Sequence, residues 1–172
     1  MASFSPGKKT LGSLMVAAAA AALVSFVGSN EGLRTKTYKD IVGINTVCYG
    51  ETSPDIAFPG AEYTPEQCAR MLEERLVEFA EGVKACTPIV FESPETIISA
   101  VDLAYNIGVP RYCSSTAAKH FKAGRLEEGC EAATRFKFAG GKVLPGLVVR
   151  REKGFNLCMQ GVEEIRAREG KQ

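Results

Sequence analysis

Two stretches of the sequence repeat apolar residues at the spacing of an amphipathic helix. The first follows Thr64, with Pro65 placed for the first helical position and Gln67 for a capping box. The residues of its apolar stripe are Cys68, Leu72, Leu76, Phe79 and Val83. Because the opposite side is charged, the pattern predicts a long helix with one face in a core and the other in solvent.

The second stretch begins at Ser93, where Pro94 and Glu95 are placed to start a helix by the same chemistry. Its apolar residues are Ile97, Ile98, Val101, Ala104 and Tyr105. The pattern predicts a central core helix that ends near Asn106 and Gly108.

The chain before these helices is predicted to form a short helix followed by two short strands. We expect Leu33 and Tyr38 to be buried at the end of the helix, with a turn around residues 39–40. Gly43 is expected to form the turn between the strands, because residues 45–49 alternate as a strand does.

Two carboxylates and a hydroxyl lie at fixed intervals in this unit. Asp40 follows Glu31 by nine residues, and Thr46 follows Asp40 by six. A helix that carries Glu31 and a hairpin that carries the other two can face one cleft, where carboxylates serve general acid–base chemistry. Taken alone, a carboxylate pair at this spacing is common on solvated surfaces.

The cysteines bear on the compartment. There are six, and all lie after residue 30: Cys48, Cys68, Cys86, Cys113, Cys130 and Cys158. An even number suits an oxidising compartment and up to three disulfides, while six reduced thiols in a cytosolic protein are the alternative. With no C-x-x-C pair and with His120 as the only histidine, neither a zinc nor a redox site is expected.

Composition and charge add less. A hydrophobic content of 45% and a charged content of 24% suit a globular core, and a net charge of +1 gives no argument for nucleic-acid binding. Without its first thirty residues, the chain of 172 residues has the usual size of one domain. We therefore predict a domain over residues 31–172, preceded by a separate segment over residues 1–30.

Residues 31–52, EGLRTKTYKDIVGINTVCYGET, resemble phage-type lysozymes, glycoside hydrolase family 24. That family has a Glu, eight residues, an Asp, five residues, a Thr and then a glycine-rich strand, and Glu31, Asp40 and Thr46 meet both spacings. The resemblance covers roughly residues 30–168. The family usually has His just after this glycine, where Glu51 stands, so any ion pair of that His is absent or inverted here.

The resemblance implies an α+β, mostly α fold, in which a small β-hairpin lobe and a helical lobe are joined by a long helix. It also implies an endolysin that hydrolyses the β-1,4 bond between N-acetylmuramic acid and N-acetylglucosamine in peptidoglycan, with inversion and without metal or cofactor. Glu31 would be the general acid, with Asp40 and Thr46 holding the water. A monomer is expected.

Three further expectations concern the site. Glu31 must keep its proton near neutral pH, so its surroundings should be partly desolvated or carry a negative neighbour. Asn106 is a candidate sugar-binding residue, the alternative being an Asn satisfied by backbone at a helix end. Arg150 and Arg151 are expected to line the cleft or meet peptidoglycan carboxylates, at least one of them at the surface.

By analogy with the positions that the cysteines match in the family fold, Cys86 pairs with Cys113 and Cys130 with Cys158. This leaves Cys48 to pair with Cys68.

The first segment has the features of a membrane-targeting sequence. Residues 11–28 are an uncharged run of 18, just long enough to cross a hydrocarbon core, and Lys8 and Lys9 argue for an N-terminus in the cytoplasm. Alanines fill positions 17–22, and alanine adds little insertion energy, so the span is marginally stable.

Three interpretations of this segment remain open. It is a cleavable signal peptide, a permanent anchor, or a segment similar to the signal-anchor-release segments of some phage endolysins. The weak span and the short junction to Glu31 favour release from the inner membrane to the periplasm.

Two other functions also remain open. A lytic transglycosylase acts on the same bond, but such enzymes typically need one catalytic Glu, so Asp40 and Thr46 argue against it. An inactive wall-binding homologue is supported only by Glu51.

Overall fold

The computed structural model describes residues 9–40 and 42–171, so Lys8 lies outside the described residues. In chain order the helices are α1 (Leu11–Leu14), α2 (Ala17–Glu31), α3 (Pro65–Cys86), α4 (Pro94–Ile107), α5 (Val109–Ser114), α6 (Thr116–Lys122), α7 (Leu126–Ala133) and α8 (Pro145–Glu169). The strands are β1 (Arg34–Lys39), β2 (Asn45–Cys48), β3 (Phe138–Ala139) and β4 (Lys142–Val143), and a 3-10 turn covers Pro88–Glu92. The predicted mostly helical α+β class is confirmed.

The described chain has two hydrophobic cores, one in each lobe. The small core lies where β2 and the loop after it meet α3, and contains Val47, Cys48, Ala57 and Cys68. The large core lies among α1 to α8, with α4 packed against α8, α2 and α3. Helix α3 contributes to both cores and so joins the lobes, as the family resemblance implies.

Both predicted helix starts are confirmed by their caps. The Thr64 hydroxyl accepts from the Gln67 backbone N–H at 3.2 Å, and the Gln67 side chain accepts from the Thr64 N–H at 2.7 Å. The Ser93 hydroxyl accepts from the Glu95 N–H at 3.3 Å. Each bond satisfies a backbone donor that the first helical turn leaves free.

The prediction that Leu33 and Tyr38 are buried at a helix end is wrong. Helix α2 already ends at Glu31, because Gly32 adopts φ +77°, and β1 begins at Arg34. Leu33 lies just before β1 and Tyr38 lies within this small two-stranded sheet, and the two residues are 40% and 39% exposed. The predicted turn at Gly43 is present, with φ +84°.

The first segment packs against the rest of the chain. Leu11, Met15, Leu23 and Val27 are buried in the large core, and Lys9 Nζ lies 2.6 Å from Glu81 Oε1 on α3. The uncharged run is divided between α1 and α2 rather than forming one helix. Across residues 9–40 and 42–171, no helix is both long and apolar enough to span a membrane.

Three disulfides pair the cysteines as predicted. Cys48–Cys68 fastens the end of β2 to α3, Cys86–Cys113 joins α3 to α5, and Cys130–Cys158 joins α7 to α8. Cys48 has φ +57°, a left-handed conformation that is uncommon for a non-glycine residue. Its disulfide holds this turn against the helix that joins the lobes.

Candidate active site

Glu31 is the last residue of α2, and the core fixes its position. Val27 and Leu23 lie one and two turns earlier on the same helix and are fully buried. The Glu31 side chain is 24% exposed, and its Oε1 accepts from Arg150 Nη1 of α8 at 2.6 Å. The candidate acid therefore lies where the end of α2 meets α8.

A buried carboxylate, Asp102 of α4, organises the charges behind this contact. Arg150 Nε donates to both Asp102 oxygens at 3.1 Å, and Nη2 donates to Oδ1 at 2.8 Å. Arg151 Nη2 donates to Oδ2 and Asn30 Nδ2 to Oδ1, each at 3.3 Å. The surface position expected for at least one arginine is wrong, because both are only 5% exposed.

The two arginines differ in how far nearby carboxylates offset the effect of burial on their pKa values. Burial acts to lower the pKa of Arg150, but Asp102 and Glu31 outweigh it and raise that pKa above its ordinary value. Burial lowers the pKa of Arg151 to about 10, with partial compensation by Asp102 and further lowering by Arg150. The Nε of Arg151 is buried and has no partner among the described residues. Arg151 is thus the less stable cation of the pair.

Tyr105 of α4 bonds to the backbone just after β2 and lies within the electrostatic influence of Glu31. Its hydroxyl donates to the Tyr49 backbone oxygen at 3.0 Å. Burial, and secondarily the negative charge of Glu31, raise the pKa of Tyr105 to about 12, so the phenol stays neutral. The Tyr49 ring packs so close to Gly28 of α2 that a Cβ there would lie 3.2 Å from Tyr49 Cε1.

Asp40 lies at the start of the hairpin turn and Thr46 lies in β2, and both bond to backbone groups of Ile44. Asp40 Oδ1 accepts from the Val42 N–H at 2.9 Å and the Ile44 N–H at 2.8 Å. Thr46, 5% exposed, donates from Oγ1 to the Ile44 carbonyl at 3.2 Å. Backbone groups of the turn therefore orient both side chains.

An irregular register shortens the hairpin between Glu31 and this turn. Arg34 pairs with Cys48, and Tyr38 pairs with Thr46. Four residues of β1 are thus matched by two of β2, which span only about 7 Å. Bulges of this kind bend a strand and redirect its side chains.

Asn106 borders a groove next to the buried charges. Its Oδ1 lies 3.5 Å from Arg151 Nη2, and the groove of about 530 Å³ also exposes Arg111, Arg135 and Phe136. A half-buried amide at the edge of a groove suits a polar substrate contact.

Glu51 caps its own loop. Its Oε1 accepts from the Thr52 N–H at 2.9 Å and the Ser53 N–H at 2.7 Å. The carboxylate that replaces the family's usual His therefore serves local backbone groups.

The surroundings of Glu31 match one of the two expected conditions. The side chain is partly desolvated, but the charge in direct contact is the positive Arg150, and the negative Asp102 lies behind it. Asp102 was missed in the sequence. Its position inside the apolar stretch IISAVDLAY is the signal, because a charge on a buried helix face requires a partner.

Comparisons with known proteins agree with this geometry. A family model described as "Phage lysozyme" matches residues 28–154. A protein named SAR-endolysin, from Bacteriophage PS119, is 36% identical over 148 residues, which are 84% of this chain and 87% of that protein. Among solved structures, the muramidase domain of SpmX from Asticaccaulis excentricus is 26% identical, with a TM-score of 0.72, over 80% of this chain and 95% of that one.

Two structures of the P1 phage endolysin Lyz are similar in fold to different degrees. The active form has a TM-score of 0.72 at 23% identity over 82% of this chain and 84% of that one. The secreted inactive form has a TM-score of 0.54 at 19% identity over 82% and 95%. Taken with the two lobes and the site at the end of α2, these findings show that the chain belongs to the phage lysozyme family and is a peptidoglycan-lysing endolysin.

Proposed function

We propose that this endolysin cleaves its glycan with Glu31 as the general acid and with Asp40 and Thr46 as the residues that hold the attacking water. The carrying observation is the contact between Glu31 at the end of α2 and Arg150 of α8. It fixes the carboxyl where the end of α2 meets α8, with 24% of the side chain exposed to solvent. A proton donor held there can reach the oxygen of a glycosidic bond lying in the cleft.

The hairpin supplies the groups for the attack of water, the step that accompanies proton donation by Glu31. The two amides that bind Asp40 Oδ1 fix the orientation of the carboxylate. We assign Oδ2 to the water and the Thr46 hydroxyl to orienting it. A water activated by a carboxylate opposite the acid gives inversion, for which carboxyl separations of about 6.5–9.5 Å are typical.

We further propose that the first segment inserts in the inner membrane and later leaves it to complete the domain. The relatives named SAR-endolysin and the greater similarity to the active P1 form support this. So does the composition of α2, in which the side turned to solvent presents Ala17, Ala18, Ala21 and Ala22. Alanine costs little in lipid or in water, so one helix suits both surroundings.

The core keeps the released segment out of water. Full burial of Leu23 and Val27 stabilises the packed form by about 1.5–3 kcal/mol each relative to exposure in water. The span is marginally stable in lipid, so loss of the membrane potential is enough to favour the packed form. Glu31, the last residue of α2, reaches Arg150 only when that helix is in the core.

Glu31→Gln tests the proton donor. We expect muralytic activity to fall at least about 10²-fold, because a positioned acid contributes about 10²–10⁴-fold, while the amide keeps the shape of the side chain. Glu163→Gln, an exposed change on α8, is the control and should retain full activity. Lysis above a tenth of the normal rate in Glu31→Gln would exclude Glu31 as the acid.

Product analysis identifies the reaction. Hydrolysis with inversion gives a reducing end that NMR first detects as the α-anomer. A 1,6-anhydro end would instead identify a lytic transglycosylase.

A further inference from the structure

Asp102 is a buried charge that the proposed mechanism does not use. It is 1% exposed in the middle of α4, and it accepts hydrogen bonds from three side chains on two other helices. The residues directly before and after it, Val101 and Leu103, are buried and apolar. Its contacts lead to Glu31 through Arg150 and to Asn106 through Arg151.

The charges of this cluster balance only when Glu31 is ionised. Arg150 and Arg151 carry two positive charges, and Asp102 and Glu31 carry two negative charges. A general acid begins its cycle protonated, and the cluster then has one net positive charge. Without the charge of Asp102 it would have two, and both guanidiniums would favour loss of the Glu31 proton.

We infer that Asp102 is a positioning residue that sets the working pH range of the acid and couples it to the sugar-binding side of the cleft. It occupies the Nε and Nη2 donors of Arg150, so only Nη1 remains directed at Glu31. It also orients Arg151, which reaches Asn106. The inference rests on the proposed role of Glu31 as the acid.

The remaining titratable and charged groups around Glu31 come from α2, α3, α4 and the small lobe. From α4, the Tyr105 phenol is neutral throughout the working range. Arg75 of α3 and Glu51 of the small lobe act electrostatically on Tyr105, and the α2 neighbour Asn30 is uncharged. Arg150 and Arg151 of α8, with Asp102, are therefore the groups whose charge balance controls the acid.

The test is the pH dependence of kcat/KM in three variants. Asp102→Asn removes a negative charge. The alkaline limb of the pH profile, where activity is lost as the acid loses its proton, should therefore move down by about one pH unit. The rate above that limb should fall about tenfold, with activity retained at lower pH. Arg151→Gln removes a positive charge and should move the limb up by about as much. The double variant keeps the original charge balance and should return the limb close to its original position.

Opposite shifts that cancel in the double variant separate a charge effect from a structural one. If Asp102 only supports packing, its variant loses rate at every pH and the limb does not move, which would overturn the inference. If Asp102→Asn does not fold, Arg151→Gln decides the matter, because an unmoved limb in that variant also overturns it. Glu163→Gln makes the same charge change as Asp102→Asn but about 20 Å along α8 from Arg150, and it should leave the limb in place.

Failure of this inference and failure of the proposed function give different results. An active Glu31→Gln variant would refute the acid itself. An inactive Glu31→Gln variant with unmoved limbs in the other three would refute only the role of Asp102.

Discussion

The two candidate catalytic carboxylates are held by different kinds of donor. Asp40 is bound by two backbone N–H groups of its own turn, while Glu31 is bound by a guanidinium that comes from α8. Backbone donors are fixed as soon as the turn forms, so the orientation of Asp40 is a local property of the hairpin. The orientation of Glu31 depends on the tertiary fold.

Thr46→Val tests the hydroxyl of the hairpin. Valine keeps the shape of this nearly buried side chain, and only the bond to the Ile44 carbonyl is lost, about 1 kcal/mol of stability. If the hydroxyl orients the water, we expect kcat to fall by at least about tenfold. Steady-state lysis rates and urea unfolding measure the two effects separately.

Thr37→Val is the matched control for this change. The Thr37 hydroxyl also donates to a backbone carbonyl, that of Ala61, at 3.2 Å, and it lies on β1 of the same hairpin. Equal losses of activity in the two variants would mean that Thr46 acts only on the stability of the hairpin.

Sequence spacing identified the candidate residues whose partners are local, but not the partners that lie far away in the chain. Glu31, Asp40 and Thr46 fall within one short motif. Arg150 is 119 residues from Glu31, and nothing in the pattern around Arg150 distinguishes a buried arginine from an exposed one. Only the packing of α8 against α4 decides that it is buried.

Helices α4 and α8 form the most extensive pairing in the fold, and a glycine allows their close approach. A Cβ at Gly161 would lie 2.7 Å from Ser93 Oγ and 2.9 Å from the Thr96 backbone nitrogen. The cap of α4 thus rests directly on the backbone of α8. This contact sets the separation of the helices that carry Asp102 and Arg150.

Gly161→Ala should therefore destabilise the protein, although alanine favours a helix. Because backbone must move to accept the methyl group, we expect a loss of about 1–3 kcal/mol in the free energy of unfolding. Urea unfolding with the disulfides intact measures it. Gly146→Ala, near the start of α8 with nothing within 4 Å of the added Cβ, should be neutral or stabilising by up to about 1 kcal/mol. Equal effects at both positions would contradict the close approach.

The elements with local signals were predictable, and α2 was not. The starts of α3 and α4 follow from capping side chains, which act within one turn. The run over residues 11–28 is apolar on every side, so it has no stripe to indicate which face meets the core. Its length suggested one span, whereas the packed form divides it after Leu14 and buries only one side.

The whole molecule combines a domain fastened by three disulfides with a first segment that contains no cysteine. Since no thiol of the segment can attack a disulfide, the proposed movement from membrane to core is conformational. The balance then depends on two free energies, that of insertion in lipid and that of packing against α3 and α4. Different alanines of α2 allow the two to be changed separately.

Ala18→Leu combined with Ala22→Leu should change insertion alone. Both positions are exposed in the packed domain, and two leucines add about 1 kcal/mol of insertion energy. We expect more of the protein in the membrane fraction and later lysis. The purified packed domain should keep normal specific activity and stability. Mass spectrometry of the released protein should find the segment still attached.

Ala19→Leu combined with Ala20→Leu is the matched comparison, because it adds the same insertion energy at two positions that are buried in the core. Overpacking there costs about 1–3 kcal/mol per site, so this pair should delay lysis more strongly and also lower the stability of the packed form. The difference between the pairs measures how much packing of α2 contributes to release.

If neither pair changes the timing of lysis, insertion energy does not control release. If both pairs delay it equally and leave stability unchanged, α2 does not pack through Ala19 and Ala20 in the active enzyme.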